Sequence, residues 1–303
     1  YFYNEKKSDR PGDERNLLLN DRQVKFEKYL TDAFSEKAVE FINESSQPFM
    51  MYLAYNAVHT PMQATDEDMA KFEGHPRQKL AAMTYALDRG VGTVIRGLKD
   101  SGKFDNTLIF FLSDNGGATT NQSSNYPLKG FKGNKFEGGH RVPYFVVWKN
   151  GIPAGKPYDG LVSSLDIFAT AIDAASISKT RNRLDGVSLL PYLKGKKGEP
   201  HKVLYWRKMD TRAIRSGDYK LIITHGVDSV LYNIRRDPEE MNNLINKEPD
   251  LYHKLAKKLA KWEKNECIEP SWLEEGWRKI TNRYHQQLMH NEIKTAQDLY
   301  KKK

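Results

Sequence analysis

Two runs of strand length, Phe49–Tyr55 and Thr107–Leu112, are almost wholly apolar, and the strongest helical period in the chain lies between them. An apolar run without alternation must be buried on both faces, as in a parallel sheet covered by helices. In the intervening segment Leu80, Met83, Leu87, Val91, Val94, Ile95 and Leu98 keep one stripe, while Arg89, Arg96 and Lys99 fall off it. Ser101-Gly102 supplies a stop. Strand, helix, strand in this order is a right-handed crossover unit. The pattern therefore predicts an α/β fold with a doubly wound, mostly parallel sheet. A third strand at Tyr144–Trp148 and a helix over 164–175 extend it. Upstream, Leu30, Phe34, Ala38, Phe41 and Ile42 recur at helical spacing, with Thr31 and Asp32 as capping side chains. Residues 4–28, charged and holding Pro11-Gly12, read as a surface loop.

After Gly195-Lys196-Lys197-Gly198 the texture changes. Val203–Trp206, Arg212–Arg215, Tyr219–Ile223 and Val230–Tyr232 are short and separated by turn residues such as Ser216-Gly217-Asp218. They predict a small antiparallel sheet, followed by a charged helix over 249–264 with Leu251, Leu255, Leu259 and Trp262 on one side. The expected organisation is an α/β portion over residues 1–198 and a smaller antiparallel α+β subdomain over 199–303. No element is assigned beyond about residue 265.

With 39% hydrophobic and 11% aromatic residues in 303, the chain has ample core material and is no disordered tail. Its net charge of +9 attracts anions without choosing among them. No helix carries a clustered basic face with a recognisable motif, so nucleic acid is not an expected partner. A single cysteine, Cys267, excludes an internal disulfide framework and a four-cysteine zinc site. No apolar run approaches the roughly 18 residues of a membrane span. The start, Tyr1-Phe-Tyr-Asn-Glu-Lys-Lys7, is neither an initiator Met nor a signal peptide, and the chain reads as a piece of something longer.

Ligands of open α/β sheets sit beyond the carboxyl ends of the strands. The first strand delivers Asn56-Ala-Val-His59-Thr60-Pro61 and the second Asp114-Asn115, so topology predicts that they are neighbours. Asp114 and Asn115 offer two hard oxygen donors of the kind calcium or magnesium takes, against a need for about six to eight. The same Asp-Asn-Gly-Gly also has the composition of a tight turn. A lone histidine such as His59 after a strand is more often a structural residue than an acid or ligand, though its place past a buried strand favours the latter. Leu128 to Pro143 interleaves Lys129, Lys132 and Lys135 with glycines, which suits either close approach to an anion or a solvated basic loop.

Taken in order, His59-Thr-Pro, Ser113-Asp-Asn-Gly-Gly117, Lys132-Gly and Glu137-Gly-Gly-x-Arg-x-Pro143 resemble the later part of the formylglycine-dependent sulfatases of the alkaline phosphatase superfamily. Tyr29–Phe34, Ala86–Gly92 and Leu231–Pro238 are similar to that family too, so the resemblance covers most of residues 29–245. It implies that Asp114 and Asn115 supply half of a divalent-metal site, with calcium favoured and magnesium the alternative. It implies that His59 and Lys132 contact the sulfate ester, His59 as a candidate proton donor to the leaving alcohol. Glu137 and Arg141 would brace the loop, and His140 would be a weaker substrate contact. The nucleophile motif, Cys/Ser-x-Pro-x-Arg, does not occur, and Cys267 in Asn-Glu-Cys-Ile-Glu-Pro does not fit it. The expectation is a C-terminal portion whose upstream segment carries formylglycine and the remaining metal donors, so that this chain alone is inactive. The substrate implied is a sulfated carbohydrate or polysaccharide, and the location periplasmic or extracellular. A phosphodiesterase or phosphonate hydrolase of the same superfamily, and a non-catalytic sulfated-glycan-binding module, are the alternatives.

Overall fold

A computed structural model describes residues 17–24, 27–177, 183–267 and 274–301. They form two units. The first runs to Thr107 and takes in Thr120–Gln122; the second holds Leu108–Thr119 and the described residues from Ser123 onward.

In the first unit, strands β1 (Leu17–Leu19) and β2 (Arg22–Val24) pair antiparallel around Asn20, which takes a φ of 54°. A hairpin thus stands where a loop was expected. Helices α1 (Leu30–Glu44), α2 (Asp66–Ala70) and α3 (Gln78–Asp100) follow. The amphipathic stripe turns α3 towards α1, burying Ala82, Met83, Ala86 and Leu98 with Leu30, Ala38 and Ile42. The helices approach closely at Gly90 and Gly97, one heptad apart. A Cβ on Gly97 would stand 2.9 Å from Val39, and one on Gly90 2.6 Å from Ser35 Oγ. The predicted stop is realised: Gly102 adopts φ 70°, and the N–H groups of Gly102 and Lys103 donate to Lys99 O and Leu98 O. The predicted cap is not. Tyr29 is the N-cap residue and gives no side-chain cap, because Thr31 and Asp32 lie in the first turn. There the Asp32 carboxylate accepts from Arg89 at 3.1 Å.

The Phe49–Tyr55 run, expected as a strand buried on both faces, forms no strand and has no ladder partner among the described residues. One face packs on α1: Phe49 meets Phe41 edge-to-face at 5.3 Å, and Tyr55 Oη bonds Ser35 Oγ at 2.7 Å. The other face is open, with Met50 73% and Tyr52 89% exposed. A run apolar on both sides needs cover on both, and the described residues supply one side.

In the second unit, β3 (Ile109–Leu112) pairs antiparallel with β4 (Tyr144–Val147), Phe111 opposite Phe145. The one-turn helix α4 (Glu137–His140) lies between them in sequence, and α5 (Asp166–Ala174) and α6 (Leu190–Leu193) follow. Every ladder among the described residues is antiparallel, so the parallel pairing expected of the first layer is not found within them. The expected small sheet is a four-strand meander: β5 (Val203–Lys208), β6 (Thr211–Ser216), β7 (Tyr219–Thr224) and β8 (Asp228–Asn233). Strand alternation divides its side chains. Ile214, Leu221 and Leu231 face α7 (Pro249–Glu266) through Leu255 and Leu259. Ala213, Ile222, Val230 and Tyr232 face Phe131, Phe136 and the end of α8 (Glu275–Met289). A last turn, α9 (Asp298–Lys301), follows.

Candidate active site

Strand β3 ends at Leu112 and delivers Ser113–Gly117 as a tight turn. Ser113 Oγ donates to Asn115 O at 2.8 Å, and Asn115 Nδ2 donates to Gly116 O at 3.0 Å, leaving Asn115 Oδ1 as an acceptor. Asp114 is exposed and Gly116 buried. Gly116 is required by proximity: its N–H donates to Gly139 O at 3.1 Å, and a Cβ there would lie 1.8 Å from Gly138 O. Asn125 then ties the turn to the lysine loop. Its Oδ1 accepts from Gly117 N, and its Nδ2 donates to Gly130 O at 3.0 Å. Finally Lys132 N–H donates to Gly117 O at 2.9 Å, seating an exposed lysine directly beside the Asp114-Asn115 turn.

The loop is braced from inside by an ion cluster. Lys220, fully buried on β7, donates to Glu137 Oε1 at 2.8 Å and forms an ion pair with Glu240 Oε1 at 3.0 Å. Glu240 Oε2 accepts from Glu137 N–H at 2.6 Å, and Arg215 lies 3.5 Å from Glu137 Oε2. Burial works to raise the Glu137 carboxyl, but the Lys220 ammonium beside it wins and holds it below the usual range. Burial pushes the Glu240 carboxyl up, helped by the like charge of Glu137 and opposed by Lys220. Lys129, also buried, donates to Glu240 O at 3.0 Å, and its ammonium lies 5.0 Å from the Phe136 ring centre. Burial lowers it to about 8. Glu137 is thus the brace the motif implied, joined by Arg141 at 3.6 Å. Lys220 and Glu240 had not been singled out, and Lys129, expected to face an anion or solvent with the other loop lysines, is instead fully buried.

His140 Nε2–H donates to Lys135 O at 3.2 Å, and its ring stacks on Trp206 with centroids 4.4 Å apart. Burial, with Lys220 nearby, lowers its pKa to about 3, so the ring is neutral. His59 belongs to the first unit, whereas Asp114, Asn115, Lys132 and His140 belong to the second. Its loop is anchored by Val58 and Met62, which pack with Ala57 and Ala64 on Tyr29, Met83 and Ala86. His59 is exposed, its backbone N–H donates to Asn56 O, and its ring Nδ1–H donates to Thr60 O at 2.7 Å. No three His, Cys, Asp or Glu side chains gather as a metal set among the described residues. Asp114 and Asn115 give a hard-oxygen pair that suits a calcium- or magnesium-like ion in kind but not in number.

The family profile described as Sulfatase matches residues 1–177 of the 303. The chain belongs to the sulfatase family. A second profile, N-sulphoglucosamine sulphohydrolase, C-terminal, matches residues 132–265 of this sulfatase. An uncharacterized sulfatase of Escherichia coli (strain K12) is 39% identical over 201 residues, 63% of this chain and 36% of its own length. N-acetylgalactosamine-6-sulfatase of Canis lupus familiaris is 32% identical over 202 residues, 64% of this chain and 38% of its own. The sulfatase chain therefore spans little more than a third of these curated relatives. Among solved structures, Ps i-CgsB matches with a TM-score of 0.80 and 35% identity over 91% of this chain and 65% of that one. Its complex with k-i-k-neocarrahexaose matches at 0.78 and 36%, over 88% and 61%. The fold is accordingly α/β and alkaline-phosphatase-like, with the C-terminal antiparallel four-strand sheet.

Proposed function

We propose that the protein bearing this chain hydrolyses sulfate esters of a sulfated carbohydrate, and that a sulfated galactan oligosaccharide of the neocarrahexaose kind is the first substrate to try. The observation that carries this reading is the Lys132 N–H bond to Gly117 O, 2.9 Å, which joins a lysine to the oxygen-donor turn of Asp114 and Asn115. Breaking a sulfate ester leaves negative charge on the departing alcohol oxygen. In the proposed roles, the Lys132 ammonium binds the sulfate group and offsets that charge, and His59 gives the alcohol its proton from Nε2. Asp114 and Asn115 contribute two oxygen donors to a divalent cation, calcium by preference, with magnesium next. When bound, that ion supplies charge stabilisation at the ester oxygens. His140 would contact the sugar from its place on Trp206. The nucleophile, a formylglycine, and the remaining cation donors belong in this proposal to an upstream segment, without which the 303 residues are inactive. We place the enzyme in the periplasm or outside the cell, where such polymers are met; among the described residues no helix is long and apolar enough to cross a membrane.

The test uses the full-length protein with a sulfated neocarrahexaose, an aryl sulfate and an aryl phosphate. Sulfate release should stop on chelation and return with calcium, and His59→Ala should abolish turnover while the thermal unfolding curve is unchanged. Faster turnover of the phosphate would replace this reading with the phosphodiesterase or phosphonate hydrolase one. Salt-sensitive glycan binding that ignores chelators, without sulfate release, would leave a binding module.

A further inference from the structure

The lysine loop carries more positive charge than one sulfate group would use. Gly133, at φ 96°, leaves its side-chain space to Lys208, whose Nζ would be 3.1 Å from a Cβ at that position. Lys208 ends β5 and points to the same face as Trp206, two residues earlier, the ring on which His140 stacks. Lys135 follows Gly133 by two residues. Burial together with the Lys208 and Lys220 ammonium groups lowers its pKa to about 8, and Lys208 is itself lowered by burial and by Lys132. Among the described residues neither Lys135 nor Lys208 has a carboxylate partner, in contrast to Lys220 with its two. His285 of α8, whose pKa burial lowers to about 4 with Lys135 and Lys208 adding to the effect, is fully buried and keeps an Nε2 with no hydrogen-bond partner. Like charges near one another in a partly desolvated rim repel, and a bound anion relieves that cost while both lysines stay charged.

We infer that Lys135 and Lys208, either side of Gly133, form a second anion seat that binds a sulfate group on the sugar neighbouring the one being desulfated. The ligand class is an oligosaccharide sulfated on adjacent residues, read by charge-assisted N–H···O contacts. This rests on the proposed carbohydrate-sulfatase function, and the seat would make the enzyme favour densely sulfated stretches.

The experiment uses the full-length protein and two neocarrahexaoses, one with a single sulfate per disaccharide and one with two. Binding is followed by calorimetry and sulfate release by ion chromatography. The Lys208 side chain reaches solvent and carries no carboxylate partner among the described residues, so Lys208→Ala should not lower the unfolding temperature. It should weaken binding of the doubly sulfated sugar, and lower kcat/KM on it, about tenfold, the order of one charge-assisted hydrogen bond. The singly sulfated sugar should change less than twofold, and Lys208→Arg should retain the preference. Lys135→Ala, accepted only if its unfolding curve matches wild type, should repeat the effect. Equal losses on both sugars, no loss on either, or a wild type that binds both alike or neither would overturn the seat. If wild type binds with the expected preference and loses it in Lys208→Ala yet releases no sulfate, the seat stands and the hydrolytic reading fails.

Discussion

Replacing Lys220 by Met tests whether the Lys132 loop depends on the C-terminal sheet. Lys220 is fully buried between Glu137 and Glu240, at 2.8 and 3.0 Å, and both carboxylates are buried as well. Methionine preserves the apolar stem but leaves two carboxylates facing each other, with Arg215 and Arg141, at 3.5 and 3.6 Å, near Glu137. Removing one partner of a buried pair costs about 3–5 kcal/mol. At roughly 2–4 °C per kcal/mol for a unit of this size, the unfolding temperature should drop by about 6–20 °C. The loss should shrink in acid. Glu240 already has a raised pKa and rises further without the ammonium, so it takes up a proton and the repulsion ends. The assay is differential scanning calorimetry of the full-length protein between pH 5 and 8. Glu240→Gln added to Lys220→Met should restore part of the loss at pH 8, since the amide oxygen can still accept from Glu137 N–H. A drop under about 1 kcal/mol with no pH dependence would refute the reasoning.

In Glu240→Gln alone, stability relative to wild type should increase with pH above the ordinary carboxylate value, by up to about 1.4 kcal/mol per unit. The sign follows from a folded pKa raised above the unfolded one: folded Glu240 holds a proton that the unfolded chain releases, so wild type loses stability as pH rises through that window. Gly116→Ala would force a methyl into Gly138 O; its unfolding temperature should fall and sulfate release should fall with it, because the turn bearing Asp114 must move. Leu255→Ala, on the α7 face of the sheet, should cost about 2–5 kcal/mol by calorimetry, and a smaller loss would mean that α7 is not packed as described. Gly97→Leu should disrupt α1 against α3, seen as faster amide exchange in both helices, because its Cβ alone would sit 2.9 Å from Val39.

What the sequence made legible was periodicity. Helix α3 and its Gly102 stop, and the strands β5 to β8, follow from spacing that no other element contradicts. Helix α8 was hidden because its buried stripe, Thr281, His285, Leu288 and Met289, is half polar and does not register as an apolar period. The hairpin at Leu17–Val24 was hidden because three-residue strands among charges carry no alternation. Phe49–Tyr55 has the length and composition of a strand but forms no ladder among the described residues, because a strand depends on neighbours that no local pattern encodes. Within the site, the Asp-Asn-Gly-Gly turn and Lys132 were visible as motifs. Lys220 was not, although a lysine among Tyr219, Leu221, Ile222 and Ile223 is itself a signal. On a strand whose even positions face inward with Ile222 and Thr224, an inward lysine needs a buried carboxylate, and Glu137 and Glu240 supply two.

That lysine also changes how the C-terminal sheet should be regarded. The texture break near Gly198 suggests a catalytic portion followed by an appendage. Yet Phe131 and Phe136, on either side of Lys132 and Lys135, are core residues of the sheet's inner face, together with Ala213, Ile222 and Tyr232. Glu137 reaches its counter-ion on β7, and the Gly130 N–H donates to Lys294 O at 2.7 Å. Beyond bonds local to the loop, Arg141, Asn125 and the turn itself, the groups that fix it thus come from residues after 198. A chain ending at residue 198 should therefore lose the geometry of the Lys132 loop while keeping the α1–α3 pair intact. Amide exchange would show this as lost protection at Gly130 to Gly139 with unchanged protection in α3; protection retained in the loop would mean that it holds its shape without the sheet.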